Sequence, residues 1–543
     1  MKNSHRRRVE LFLVFSILLV IIISPAWEEL NSRRSAQASE YEVASGSEYT
    51  NTPFSSNSIA NCRYGIVAGR SEYVHVPRIG AGWFLDFNPP DRPKLIPENN
   101  AEFVHVFKTF QEKSAYGQYL PSYKTIVPLN EEFASYLQEN PGDLWLIGNE
   151  VDRGPDPGKI EGGQGDMYPE IYAQAYHDVR AFIKKHDPTA RTALSGLVQV
   201  TPGRLQYLDK VWNAYQQQYG TPMPVDIWNM HIYILPEVEV DGLTPNGIAN
   251  IALGSDPTLG KRSSGGKAQL CTDPDVYCSA EHDDIDIFVE QVFAMRHWMK
   301  EHGQQQKPLI LSEFSIIYPF VDDGNSCYLS DEYGNCFTPD RVSTFMAAAF
   351  DHLSLLKDEQ LGYAMDDNRL VQQWLWFSMY SGSLGVVSNI LEPDKQTLTQ
   401  IGESFKQTVF AEPSVVNLVV EKIPRVVVPV DQSGKATALI AVMFRNNGNM
   451  AVEKPFTVTF YEDQTQGIEI GSVDISVPVR GCSTNVYHAK VEWPDLAPGE
   501  YSFWVTIDSK DVIDEGSPQQ QDNRENGLVL VNPESSYLPL LLR

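Results

Sequence analysis

Positive charge is in short supply in this sequence. Its 543 residues hold 43 Lys and Arg against 70 Asp and Glu, a formal net charge of -27. Phosphate backbones are bound through clustered Lys and Arg, so nucleic acid is not an expected partner. Cysteine is also scarce, six in all. Neither close pair, Cys271 with Cys278 or Cys327 with Cys336, has the C-x-x-C spacing or the adjacent histidine cluster that a zinc site needs. No metal and no cofactor is called for. After the apolar run Leu11 to Ile23 no stretch is long enough to cross a bilayer. What remains is 42% hydrophobic and 21% charged, a globular composition that argues against general disorder.

The amino terminus reads as an export signal. Arg6, Arg7 and Arg8 precede the apolar run, and small-residue sites follow at Ser24-Pro25-Ala26 and Ala36-Gln37-Ala38. Cleavage there leaves a secreted or envelope protein, and an uncleaved anchor is the alternative. Either way the chain is expected outside the cytoplasmic membrane, where disulfides persist. Each close cysteine pair then staples its own loop. Cys62 and Cys482 are left over, either free or tying two domains together.

A length of 543 residues suits one large core plus a smaller module. Residues 1–38 are the expected signal and 39–60, rich in Ser, Thr, Asn, Glu and Gly, a flexible lead-in. Residues 61–411 alternate short apolar runs with helical patterns, the signature of βα units. Candidate strands lie at Tyr64 to Ala68, Gly82 to Phe87, Glu102 to Phe107, Leu144 to Asn149, Thr192 to Leu197, Asp226 to His231, Leu309 to Phe314 and Gln373 to Ser378. Three-and-four spacing predicts helices at Ile171 to His186, Leu205 to Tyr219 and Ile285 to His302. The fold class is a (β/α)8 barrel of the TIM type. A Gly-, Ser-, Pro- and Asp-rich insertion, Glu237 to Asp284, is expected to hang above the rim after the sixth strand. From 412 to 533 strands alternate without helices, and turns such as Asn446-Asn447-Gly448-Asn449 punctuate them. This suggests an immunoglobulin-like β-sandwich. The tail, 534–543, is apolar but too short to span a bilayer.

Two of the strands end in acids. Leu144 to Glu150 reads L-W-L-I-G-N-E, and Pro308 to Phe314 reads P-L-I-L-S-E-F. Glu150 and Glu313 would thus sit at one rim of a parallel barrel, as a carboxylate pair for retaining glycoside hydrolysis must. A single Glu at a strand end is more often a loop residue or a cap; two at matching positions change that balance. A separation of about 5 to 5.5 Å favours retention, and roughly 6.5 to 9.5 Å inversion.

Asn149-Glu150, His231-Ile232-Tyr233, Glu313 and Trp374-Leu375-Trp376 together resemble the clan-A glycoside hydrolases. Within them, G-N-E, W-N-M-H-I-Y and L-S-E-F resemble proteins with an Asl-like glycosyl hydrolase catalytic domain, over roughly residues 63–407. The resemblance implies Glu150 as general acid/base, Glu313 as nucleophile, and Asn149 as partner of the sugar 2-hydroxyl. It further implies Tyr233 or His231 as an orienting group, and Trp374 or Trp376 as a stacking floor. It also implies an Arg near the nucleophile, for which Arg63, Arg70 and Arg78 are the candidates. Bland readings stand beside these: His231 as a structural group, and the two Trp, which share one strand face, as barrel packing. Asp152-Arg153 is a subsite contact or an ion pair. The acidic run Asp508, Asp511, Asp514 and Glu515, with Asp522 and Asn523, is either solvated turns or a calcium site without a known loop spacing. Residues 413–532 resemble the CARDB adhesion-related domain, through N-N-G-N, L-A-P-G-E-Y-S-F-W-V-T-I-D and D-N-R-E-N.

The expectation is a monomeric, secreted or envelope-attached glycosidase, acting on a poly- or oligosaccharide and positioned on a surface or polymer by its sandwich. The rivals are a barrel without turnover that binds carbohydrate or adheres, and a purely structural envelope protein.

Overall fold

The structure, a computed structural model, describes residues 59–532 apart from 91–92, 155–163, 239–248, 319, 321–326, 328–329, 383–386, 477 and 517–521. The signal or anchor, nearly all of the lead-in and the tail 534–543 lie outside the described residues. All described residues belong to one compact unit, Ser56–Arg543.

Eight strands form the first layer: β1 (Asn61–Val67), β2 (Ala81–Asp86), β3 (Glu102–Phe107), β4 (Leu144–Ile147), β5 (Arg191–Leu194), β6 (Trp228–His231), β7 (Leu309–Phe314) and β8 (Gln373–Trp376). They run parallel in the order β5-β4-β3-β2-β1-β8-β7-β6. A parallel bridge from Ala193 to Ile227 joins the two ends, so the sheet closes into a barrel. Inward-facing side chains, among them Trp83, Val104, Val106, Leu146, Ile310 and Leu375, fill the lumen as a packed core. Gly65 has no Cβ because the Trp83 ring occupies that space, 2.4 Å from where one would be.

Six α-helices follow among the described residues: α1 (Glu131–Glu139), α2 (Pro169–His186), α3 (Pro202–Tyr219), α4 (Ile285–Glu301), α5 (Pro339–Leu355) and α6 (Gln400–Ala411). Proline opens α2, α3 and α5 where a missing N–H costs nothing. Asp284 caps α4, and Gly220 in the left-handed region stops α3. The expected alternation fails twice. Two 3-10 turns, Tyr73–His75 and Pro77–Ile79, connect β1 to β2, and no helix lies among the described residues between β2 and β3. After β3 the chain instead forms a hairpin, Thr109–Lys113 paired with Tyr119–Thr125. The insertion after β6 folds into a small four-stranded sheet whose Glu237 is anchored by Arg204 of α3 at 2.8 Å.

Beyond α6 lie β9 (Leu418–Lys422), β10 (Val426–Val428), β11 (Ala436–Asn446), β12 (Phe456–Tyr461), β13 (Glu469–Ile475), β14 (Tyr487–Leu496), β15 (Gly499–Thr506) and β16 (Arg524–Val531). Sheets β9-β11-β14 and β10-β16-β15-β12-β13 enclose one apolar core, a β-sandwich. Cys62 and Cys482 form a disulfide across 420 residues, so they tie the sandwich to the start of β1. Next to it the Arg63 guanidinium binds Asp366 at 2.6 Å and the Asn447 carbonyl at 2.9 Å. Cys271–Cys278 and Cys327–Cys336 are local loops, as their spacing suggested. No helix among the described residues is long and apolar enough to cross a membrane.

Candidate active site

Because all eight strands are parallel, their carboxyl ends share one rim, and the acids are carried there by β4 and β7. Gly148, at φ 91°, turns the chain out of β4, and Glu150 follows at φ 43°, a left-handed conformation that is strained for a side chain with a Cβ. The N–H of Glu150 donates to the Gly196 carbonyl at 3.0 Å, which holds that turn in place. Glu313 lies within β7 itself, opposite His231 in the ladder.

Glu150, His231 and Glu313 are all buried and converge, with the nearest oxygen or nitrogen of each within 4.8 Å of the others. His231 Nδ1 is 3.3 Å from Glu150 Oε1 and 3.9 Å from Glu313 Oε2. Its Nε2 faces Ser312 Oγ at 3.1 Å, which fixes the ring between the two acids. The ring lies over Gly196 so closely that a Cβ there would be 2.2 Å from His231 Cδ2. Tyr233 donates its hydroxyl to Glu313 Oε1 at 2.8 Å. Asn149 is buried and donates to Gln164 Oε1 at 2.6 Å. Four of the seven residues picked from the sequence, Glu150, His231, Tyr233 and Glu313, therefore touch one another at one mouth, while Asn149 beside them is held by Gln164.

The two tryptophans do not. Trp374 and Trp376 share one face of β8, but it is the outward face. Trp374 packs edge-on against Tyr64 at 5.1 Å, and Trp376 lies among Phe314, Phe345 and Phe350 while its Nε1 donates to the Ser388 carbonyl at 2.8 Å. Both are fully buried between barrel and helices and form no floor for a sugar. Leu375, between them, points into the lumen. By the period of two, Phe377 follows on that inner face at the rim, where it is half-buried. Arg63 and Arg78 are engaged elsewhere than at the nucleophile. Arg63 is held by Asp366 and Asn447 beside the interdomain disulfide, Arg78 donates to the Gln396 carbonyl, and Arg70 is exposed in the β1–β2 connection. Asp152 and Arg153 part company: Asp152 pairs with the buried Arg204, and Arg153 Nη1 lies 3.6 Å from Glu150 Oε2.

Charge at the mouth is divided unevenly. Burial pushes Glu150 upward, but the His231 hydrogen bond and the charge of Arg153 outweigh it and leave its pKa below the ordinary value. For Glu313 burial wins; with the like charge of Glu150 it overcomes His231 and Tyr233, and the carboxyl is pushed up to about 7. Burial lowers His231, yet the two acids more than compensate, and it is raised. The Arg153 guanidinium also draws Glu313 downward, but it does not offset the burial of that carboxyl. The sequence reading overlooked Lys108, one residue past β3. Burial lowers its pKa against the opposing pull of Glu313, Asp86 and Glu150. Period-two alternation from Val104 and Val106 was the available signal, since it carries Lys108 onto the lumen face.

No protein-family model and no curated protein matches the chain. Solved structures do. An endo-β-1,3-glucanase of glycoside hydrolase family 128, subgroup II, from Pseudomonas viridiflava is 14% identical, with 64% of this chain and 97% of that one covered and a TM-score of 0.35. An endo-β-1,4-mannanase double mutant from Cellulomonas fimi is 12% identical over 87% of this chain and 92% of that one, with a TM-score of 0.31. A CARDB domain from Pyrococcus furiosus, in complex with di-metal ions, is 21% identical over 22% of this chain and 96% of that domain, at 0.18.

Proposed function

We propose that the protein is a glycoside hydrolase that cleaves a poly- or oligosaccharide with retention. On this reading residues 61–411 carry turnover, and 412–533 position a monomer on a surface or polymer outside the cytoplasmic membrane. One observation carries it: the carboxylates of Glu150 and Glu313 approach within 4.8 Å across the barrel mouth with His231 between them. Retaining pairs stand about 5 to 5.5 Å apart, whereas inverting pairs leave room for a water at roughly 6.5 to 9.5 Å.

Glu150 gives its proton to the glycosidic oxygen while Glu313 attacks the anomeric carbon. The glycosidic C–O bond breaks, and an ester to Glu313 forms. Glu150, now ionised, takes a proton from water, which attacks the same carbon and restores Glu313. Tyr233, whose hydroxyl already donates to Glu313 at 2.8 Å, orients the nucleophile. Asn149 would turn its amide from Gln164 to the sugar 2-hydroxyl, and Phe377 takes the stacking role that the buried tryptophans vacate.

The location of the resting proton favours a second division, with Glu313 as acid and Glu150 as nucleophile. Leaving groups separate the two. A general acid is dispensable for a dinitrophenyl glycoside and a nucleophile is not. Aryl β-glycosides and plant or bacterial polysaccharides are to be screened with wild type, Glu150→Gln and Glu313→Gln. Losses of about 10²–10⁴ in either variant on natural substrates are expected. On dinitrophenyl glycosides only Glu150→Gln should recover; recovery by Glu313→Gln instead would exchange the roles. Full activity in both variants ends the proposal.

A further inference from the structure

The hairpin that replaces the β3–α1 connection continues the lumen face of β3 upward. Val104 and Val106 point into the barrel interior, and Lys108 follows them toward the two acids. Period two then places Phe110 and Glu112 on the same side. The other side is accounted for: Thr109 is buried against Met167 Sδ at 3.3 Å, and Gln111 accepts from the Tyr168 N–H at 2.8 Å. Tyr123, paired with Gln111 in the ladder, donates to Asp178 of α2 at 2.7 Å, so that side packs on the helix. Across the hairpin Lys124 pairs with Phe110 and lies over its ring at 6.0 Å. Phe110 is half-buried and belongs to none of the apolar cores, so its ring is approached by Lys124 and not packed into the barrel.

We infer that the outward face of this hairpin is a further sugar subsite in which Phe110 stacks on a pyranose of a polysaccharide chain one or more units from the bond held between Glu150 and Glu313. This inference rests on the proposed hydrolase reading for its substrate class. An aromatic ring offers the C–H face of a pyranose a large apolar contact, and Lys108 and Lys124 supply donors for its hydroxyls. Such a wall serves an extended chain and is idle when the substrate is a single sugar on an aryl group. The site then distinguishes polymer from monomer.

The test uses the full chain with Phe110→Ala and Phe110→Trp. Hydrolysis of laminarin, mixed-linkage β-glucan, galactomannan and arabinoxylan is compared with that of aryl monoglycosides. Binding to the same polymers is read by affinity electrophoresis in a Glu313→Gln background. Phe110→Ala should raise KM on the responsive polymer roughly tenfold with kcat held, leave the aryl glycoside untouched and weaken gel retardation, while Phe110→Trp restores both. Unchanged polymer KM and retardation in Phe110→Ala, with hydrolysis intact, overturns the subsite and leaves the hydrolase. Retardation that depends on Phe110 without any hydrolysis overturns the hydrolase and leaves the subsite. A wild type that neither binds nor cleaves any of the four polymers overturns the subsite as well.

Discussion

Two buried carboxylates this close hold one proton between them well into the neutral range, because ionising the second places like charges together out of water. Glu313 releases the last proton at about 7, and Glu150 gains one below the ordinary glutamate value. Activity therefore needs the singly protonated pair under either division of roles. The pH profile of kcat/KM should be bell-shaped, with its alkaline limb near 7. Tyr233 lowers the Glu313 pKa through its hydrogen bond. Tyr233→Phe should move that limb to higher pH and cost about tenfold in kcat/KM; an unmoved limb would detach the tyrosine from Glu313. Stability carries the same signature. Glu313 titrates at about 7 in the folded state against 4.5 as its unperturbed value, so the folded protein binds the extra proton between those values and loses stability as pH rises through them. Glu313→Gln has no such loss. Its melting temperature should exceed that of wild type above pH 7.5 by a degree or more, for a gain of about 2 kcal/mol, and match it below pH 4. Equal melting curves at every pH would contradict the raised pKa. The motifs G-N-E and S-E-F made both acids legible in the sequence, since a carboxylate just past or within an apolar run marks a strand end. The proton's place was not legible, because it depends on burial and on His231 and Tyr233 arriving from another strand.

At the scale of elements, β8 shows what a two-residue period leaves undecided. Trp374 and Trp376 were bound to share a face, but only the tertiary structure says that Leu375 takes the inner one. Trp376→Ala should accordingly cost about 3–5 kcal/mol of stability by cavity formation while leaving the KM of the folded fraction alone. Phe377→Ala should do the reverse, as thermal melts and steady-state kinetics on one preparation will tell. The amphipathic helices α2, α3 and α4 were legible because their apolar stripes are continuous. The β1–β2 and β2–β3 connections have no such stripe, and their described residues form no α-helix. Gly196 illustrates a cost invisible in one dimension. Its hydrogen is all that fits beneath His231, so Gly196→Ala should displace the ring and reduce kcat with little change in melting temperature.

The whole molecule is a barrel and a sandwich joined covalently at the barrel's first strand. Cys62 and Cys482 were the cysteines whose state spacing could not decide, since 420 residues separate them and only the folded chain brings their Cα atoms to 6.0 Å. Closing so long a loop restricts the unfolded chain, and typical disulfides contribute about 2–4 kcal/mol. The Cys62→Ser/Cys482→Ser variant should melt a few degrees lower while keeping kcat, because the bond lies among contacts of β1 and the sandwich, away from Glu150 and Glu313. The account rests on those two acids acting on one sugar. It is tested most directly by trapping the covalent intermediate with a 2-deoxy-2-fluoro glycoside of the responsive sugar and mapping the labelled peptide by mass spectrometry. A single fluoroglycosyl ester on Glu313 is predicted; a label on any other residue contradicts the assignment, and a label outside the pair contradicts the site.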